Sequence, residues 1–157
     1  MTDFQKAMTA PDFTLGNFTL SKELQKGPLL LTFYKKTCPT CQFTYPFFER
    51  IHKHYTGKNF QVVGIAQDPE TKEFSTQYGV TFPLICDTPA YEVSRQYHLI
   101  NVPTSFLVLP NGKIDFLTIG FLKKELEELL QKISTTSGQP LFDIFLKSDN
   151  VPEFKPG

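Results

Sequence analysis

Leu29 to Tyr34 (LLLTFY) is a nearly continuous apolar run, and it is followed almost at once by Cys38-Pro39-Thr40-Cys41. A short run of this kind, aromatic and strongly apolar, is the pattern of a strand buried on both faces. From Pro39 the period changes. Phe43, Phe47, Phe48, Ile51 and Tyr55 recur at helical spacing, and Gly57 supplies a stop. Proline suits the first helical position, where its missing N–H costs nothing. A buried strand that turns straight into a helix, with two cysteines at the joint, calls for a sheet with helices laid against it.

The joint also carries chemistry. A thiolate, not a thiol, attacks a disulfide, and a helix start offers unpaired N–H groups and the positive end of the helix dipole. Cys38 is therefore expected to have a lowered pKa, and Cys41, one turn later, to be more buried. Attack by Cys38 gives a mixed disulfide that Cys41 resolves. Between Lys22 and Lys58 there are seven cations against two acids, a local charge of +5. Lys35 and Lys36 are close enough in sequence to favour the Cys38 thiolate further. Zinc is the competing use of such a pair, but no second pair exists, and Cys86, His52, His54 and His98 lack ligand spacing, so no metal is expected. Cys86, at the end of an apolar strand, reads as a small buried hydrophobe. His52 and His54 fall on the polar side of the first long helix and read as solvated.

The remaining elements follow by pattern. Pro11 to Leu20 alternates around Gly16-Asn17 as a small hairpin, and Ser21 to Gly27 is a polar turn or helical stub. Phe60 to Ala66 is a second buried strand. Glu70 to Tyr78 and Pro89 to Tyr97 are candidate helices around the short strand Phe82 to Cys86. Ser105 to Leu109 and Lys113 to Ile119 flank Asn111-Gly112 as a hairpin. Phe121 to Ile133 is an amphipathic helix. The stretch after Ser134 reads as a linker, Leu141 to Leu146 as one more helical turn, and Asn150 to Gly157 as an extended tail. The expected fold class is α/β, a mixed central sheet flanked by helices, with an N-terminal β-hairpin and an inserted α/β element. Residues 1–136 form the domain and 137–157 a tail packing on it or extending from it. Asn101-Val102-Pro103-Thr104 precedes a buried strand, where a proline cannot pair normally. It marks a tight turn in which the bond can be trans or cis, and a cis-proline loop facing a redox cysteine would leave backbone groups with which an extended substrate could pair.

Composition sets the outer limits. The 157 residues hold 16 Lys plus Arg against 16 Asp plus Glu, and this neutrality argues against nucleic acid as the main partner. Sixteen Phe and 40% hydrophobic residues suffice for a packed core. No window approaches the ~20 apolar residues that span a bilayer, and Met1 to Ala10 shows no signal-peptide core, so no membrane role and a cytoplasmic location are expected. Three cysteines do not make a disulfide-stapled secreted scaffold.

Taken in order, APDFTL, LLLTFYKKTCPTC, VVGIAQD and NVPTSFLVLPNGKI resemble the thioredoxin-like redoxin superfamily, which includes the AhpC/TSA and TlpA-like proteins. The likeness runs from about Ala10 to Ile133. It implies a thioredoxin fold, Cys38 as nucleophile, Cys41 as resolving thiol and Pro103 as the cis-proline. Val102, Pro103 and Thr104 would bind substrate, with Thr37, Pro39, Thr40, Lys35, Lys36 and Pro46 in support. Pro46 matches the proline that kinks the active-site helix. The long stretch between Cys41 and Pro103 accommodates the extra α/β insert of the TlpA-like and peroxiredoxin branches. Three positions depart from the pattern. Thr37 replaces the usual tryptophan, Thr32 the buried acid of thioredoxins, and Thr44 a glutamate frequent in TlpA-like reductases.

The function expected is thiol-disulfide oxidoreduction on protein disulfides. The reversible Cys38–Cys41 disulfide serves in place of a cofactor, an unidentified thiol is the electron donor, and the chain is a monomer. A peroxiredoxin-like thiol peroxidase is the alternative, although Pro-x-x-x-Thr/Ser-x-x-Cys is absent around either cysteine and the only arginines are Arg50 and Arg95. A non-catalytic binding module on the same fold is the third reading.

Overall fold

The structure, a computed structural model, describes residues 8–157. Most of the opening segment read above for a signal core lies outside them. Two short strands, β1 (Thr14–Leu15) and β2 (Phe18–Thr19), form the small hairpin, followed by α1 (Leu20–Glu23) and a 3-10 turn. Then come β3 (Leu29–Tyr34), α2 (Pro39–Tyr55) and β4 (Gln61–Ala66). The insert is α3 (Lys72–Tyr78), β5 (Leu84–Cys86) and α4 (Glu92–Gln96). The chain closes with β6 (Thr104–Val108), β7 (Ile114–Ile119), β8 (Phe121–Leu122), α5 (Lys123–Ser137), a 3-10 turn at Lys147–Asp149 and β9 (Phe154–Lys155).

The central sheet has the order β5-β4-β3-β6-β7, with β3, β4 and β5 parallel and β6 and β7 antiparallel. β3 sits in the middle, and all six of its residues are buried. Because side chains alternate along a strand, Leu30 and Tyr34 pack on one face while Leu29, Leu31 and Phe33 pack on the other. The first face receives Tyr45, Phe48, Ile51 and Tyr55 from α2 and Leu126, Leu129 and Ile133 from α5. The second receives Phe13, Leu20, Leu24, Val93 and Tyr97. Each such side chain contributes roughly 1.5–3 kcal/mol of burial free energy. Gly64 lets α2 approach the sheet: a Cβ there would stand 2.5 Å from Leu84 Cδ2 and 3.4 Å from the Tyr45 ring.

The C-terminal third departs from the expectation in three ways. Phe121 and Leu122 are strand, not helix, because they pair with Lys155 and Phe154. α5 runs on through Thr135 and Thr136 to Ser137, whose hydroxyls bond back to carbonyls one turn earlier, so the linker is shorter than composition suggested. Leu141 to Leu146 forms no helical turn; it lies extended, with Ile144 buried and Phe145 edge-on to Phe47. Arg50 holds this stretch, donating to the Ile144 carbonyl and to both carboxylate oxygens of Asp149 at 2.7 and 2.9 Å. In the insert, α4 is shorter than Pro89–Tyr97, beginning only at Glu92.

Candidate active site

The chain leaves the C-terminal end of the central strand β3, and a tight loop turns it into α2. Asp68, buried just past β4, accepts the Lys36 N–H at 2.7 Å, and the Gln42 side-chain amide donates to the Lys36 carbonyl at 2.7 Å. The loop is thus pinned from both sides before Cys38. Cys38 is the N-cap of α2 in extended conformation, with Pro39 as the first helical residue. Its sulfur accepts the Cys41 N–H at 3.1 Å, the position a capping oxygen normally takes. Cys38 is half-buried and Cys41 fully buried; both are free thiols.

The environment separates the two sulfurs electrostatically. Hydrogen bonding from the Cys41 thiol, against the opposing cost of burial and with help from the Cys41 and Thr40 N–H groups, lowers the Cys38 pKa to about 6. Burial first, then the bond to Cys38, pushes the Cys41 thiol far up. The two lysines expected to assist do not enter this balance. Lys36 turns its ammonium to Glu73 at 3.2 Å and Glu70 at 3.8 Å on the insert, and Lys35 is exposed. Lys36 is therefore engaged by acids of the insert rather than by the sulfur.

Across from Cys38 the Val102–Pro103 bond is cis. Cys38 Sγ lies 3.4 Å from the Val102 carbonyl oxygen. The loop is fixed by Thr104 Oγ1, which donates to the Asn101 carbonyl at 2.6 Å, and by Gly120 N–H, which donates to the Pro103 carbonyl at 2.8 Å. Cys38, Pro39, Thr40, Cys41, Val102, Pro103 and Thr104 thus form one cluster. Thr37 is exposed at its rim, and Pro46 lies further along α2, where it has no N–H to offer the Gln42 carbonyl. Thr32, at the position of the absent acid, is buried and accepts from the Tyr45 hydroxyl at 3.2 Å and the Ser105 hydroxyl at 2.8 Å. Thr44 donates to the Thr40 carbonyl at 2.6 Å.

Comparison with known proteins decides the family. The AhpC/TSA family model matches residues 3–117. The chain belongs to the AhpC/TSA family. Thiol-disulfide oxidoreductase ResA of Bacillus anthracis is 29% identical to this AhpC/TSA member over 133 residues, 80% of this chain and 76% of that protein. ResA of Bacillus subtilis strain 168 is 27% identical over 125 residues, 74% of this chain and 69% of that one. Among solved structures, a candidate thiol:disulfide interchange protein DsbE from Chlorobium tepidum superposes with TM-score 0.77 at 31% identity, covering 87% of this chain and 100% of its own. A candidate protein disulfide isomerase from Bacteroides thetaiotaomicron gives TM-score 0.79 at 28% identity, covering 88% and 93%. This AhpC/TSA protein is a thioredoxin-fold thiol-disulfide oxidoreductase.

Two sequence readings need correction here. Cys86 is half-buried rather than enclosed; burial raises its pKa, with Glu70 and Asp68 adding to the effect. His54 is not a solvated surface group: its ring stacks on Phe142 with centroids 4.0 Å apart and an interplanar angle of 15°. His52 lies edge-on to Phe82 at 5.9 Å. The contacts of Asp68 and Gln42 with the Lys36 backbone were not visible in the sequence, since an isolated Asp after a strand or a Gln on a helix carries no local signal. Among the described residues no group of three or more His, Cys, Asp or Glu could hold a metal ion, and no helix is long and apolar enough to cross a membrane.

Proposed function

We propose that Cys38 is the attacking sulfur and Cys41 the resolving one in the reduction of disulfides carried by proteins. The Cys38 thiolate attacks one substrate sulfur, the substrate S–S bond breaks, and the departing sulfur takes up a proton. Cys41 then loses its proton and attacks Cys38. This releases the second substrate thiolate and leaves a Cys38–Cys41 disulfide. Two electrons have passed to the substrate, and an external thiol donor returns them by the reverse exchange. The pair is itself the electron carrier. Val102, Pro103 and Thr104 form the wall opposite Cys38, against which the substrate backbone lies.

The observation that supports this reading most is the 3.1 Å contact from the Cys41 N–H to Cys38 Sγ at the start of α2, with Cys41 shut away from solvent beneath it. The site divides the labour between one accessible low-pKa sulfur and one hidden high-pKa sulfur. The test is a pair of substitutions. Cys38→Ser abolishes dithiothreitol-driven reduction of insulin disulfides, and Cys41→Ser accumulates a mixed disulfide visible on non-reducing gels. Reductase activity that survives in Cys38→Ser, or a Cys41→Ser protein that turns over without adducts, overturns the assignment.

A further inference from the structure

Residues 153–157 do not trail into solvent. Phe154 and Lys155 pair with β8, and the Lys123 N–H donates to the Glu153 carbonyl at 2.9 Å. Lys155 then passes its ammonium over the Phe43 ring, 5.0 Å from the centroid. The next two residues reach the site itself. Thr40, which stands between the two cysteines, donates its hydroxyl to the Pro156 carbonyl at 2.5 Å. Asn101, two residues before the cis-proline, donates its side-chain amide to the Gly157 carbonyl at 3.2 Å. The approach is close: a Cβ on Gly120 would stand 2.7 Å from both Gly157 N and Lys155 O.

Consecutive carbonyls of one strap are therefore bonded to the two elements that flank Cys38. Thr40 lies on the helix and Asn101 on the loop. The effect is visible in exposure, since Thr40 is only 7% exposed while Cys38, two residues earlier, stays half-open. An extended polypeptide laid beside Cys38 would run between these same two elements. A small disulfide needs only the sulfur. The latch is also light: β8 and β9 are two residues each, and Phe154 is 55% exposed.

We propose that residues 153–157 determine substrate specificity, acting as an internal competitor that protein chains must displace and low-molecular-weight disulfides need not. This rests on the assignment of Cys38 as the attacking sulfur. Displacement exchanges the strap's hydrogen bonds for those of the incoming backbone, so it discriminates against substrates that offer no extended segment beside the disulfide.

The experiment uses the full chain carrying Lys155→Glu and Gly157→Val, which removes the cation from Phe43 and wedges a side chain against Gly120 and Ile119. kcat/KM is measured for insulin and for oxidised glutathione with dithiothreitol as donor. The insulin value is expected to rise about fivefold, the factor one net hydrogen bond of competition supplies, while the glutathione value stays within about twofold. An unchanged or lower insulin-to-glutathione ratio overturns the proposal. A second readout needs no turnover: the rate at which a polyethylene-glycol maleimide labels Cys38, compared with iodoacetamide. The bulky reagent alone should gain in the variant, and parallel gains with both reagents overturn the strap. If neither disulfide is reduced by the wild-type chain while the labelling contrast persists, the reductase assignment fails and the strap stands.

Discussion

The backbone N–H of Cys41 points at the Cys38 sulfur from 3.1 Å, so the first turn of α2 is capped by the sulfur proposed as the attacking one. With cap and proposed nucleophile in one atom, thiolate formation strengthens the helix start and the helix start favours the thiolate. Alkylation of Cys38 by iodoacetamide should accordingly follow a single ionisation with a midpoint of about 6. The Cys41 thiol is the leading cause of that lowering, and Cys41→Ala should move the midpoint upward. A wild-type midpoint at the ordinary cysteine value would sink the description of the site.

The same shift couples to stability. The Cys38 pKa is about 6 in the fold against an ordinary thiol value of 9.0. A depressed pKa stabilises the fold where the group is ionised, an effect complete above the unfolded value and lost as pH falls through the folded one. The reduced protein should therefore gain stability over Cys38→Ser as pH rises from 6 to 9. Urea unfolding at several pH values checks this. A constant difference between the two proteins across that range contradicts it.

Glu49 is 5% exposed and clamps the entrance to β5: its carboxylate accepts the Thr81 N–H at 2.8 Å, the Thr81 hydroxyl at 2.5 Å and the Phe82 N–H at 3.3 Å. Glu49→Ala leaves these donors without their acceptor and should cost about 2–4 kcal/mol in urea unfolding. Because the clamp ties α2 to the insert, protection from hydrogen exchange should fall at residues 80–86. A loss confined to α2, with the insert unaffected, would show that the clamp is not the connection.

Thr32 serves two hydroxyls. Thr32→Val keeps the shape and removes the acceptor used by Tyr45 and Ser105. The expected loss is about 1–3 kcal/mol, from two buried hydroxyls left unpaired. The iodoacetamide midpoint of Cys38 should stay where it was, since the Thr32 hydroxyl is absent from the causes of its shift. A moved midpoint would mean that this network reaches the sulfurs.

Arg50 and Asp149 tie the C-terminal segment to α2. The guanidinium, with the Leu146 N–H, holds the Asp149 pKa down at about 2. The stabilising effect is thus present above the ordinary carboxyl value of 3.8 and disappears as pH falls towards 2. Arg50→Ala should unfold at lower temperature than wild type near neutrality, with the gap closing in that acid window. Calorimetry at neutral pH and in the window distinguishes this from a pH-independent packing defect.

Some of this could be read directly from the residues. LLLTFY announced the central strand because burial on both faces leaves no polar alternation, and the strand-to-helix placement of Cys38 and Cys41 showed which sulfur would stand at the helix start and which would be enclosed. Pro103 was legible because a proline before a buried strand has few conformations open to it. The cis bond at Thr88–Pro89 had no such context. Partners distant in sequence decided the rest. Lys36 counts as a cation near Cys38 until the insert brings Glu70 and Glu73 to it. Leu122 continues a helical pattern until β9 pairs with it. Glu49 reads as a solvated helix residue, and nothing local reveals Thr81 or Phe82. The tail showed the same limit, since its contacts with Thr40 and Asn101 are backbone carbonyls, which any sequence possesses.

The complete enclosure of Cys41 governs how the site ages under oxidative stress. An oxidant arriving from solvent meets only one sulfur of this pair. If it converts Cys38 to a sulfenic acid, the hidden thiol one turn away condenses with it, expelling water and leaving the same disulfide that the proposed catalytic cycle produces. Injury is thereby returned to the working cycle before a second oxygen can make it permanent, and the buried sulfur acts as a resettable fuse.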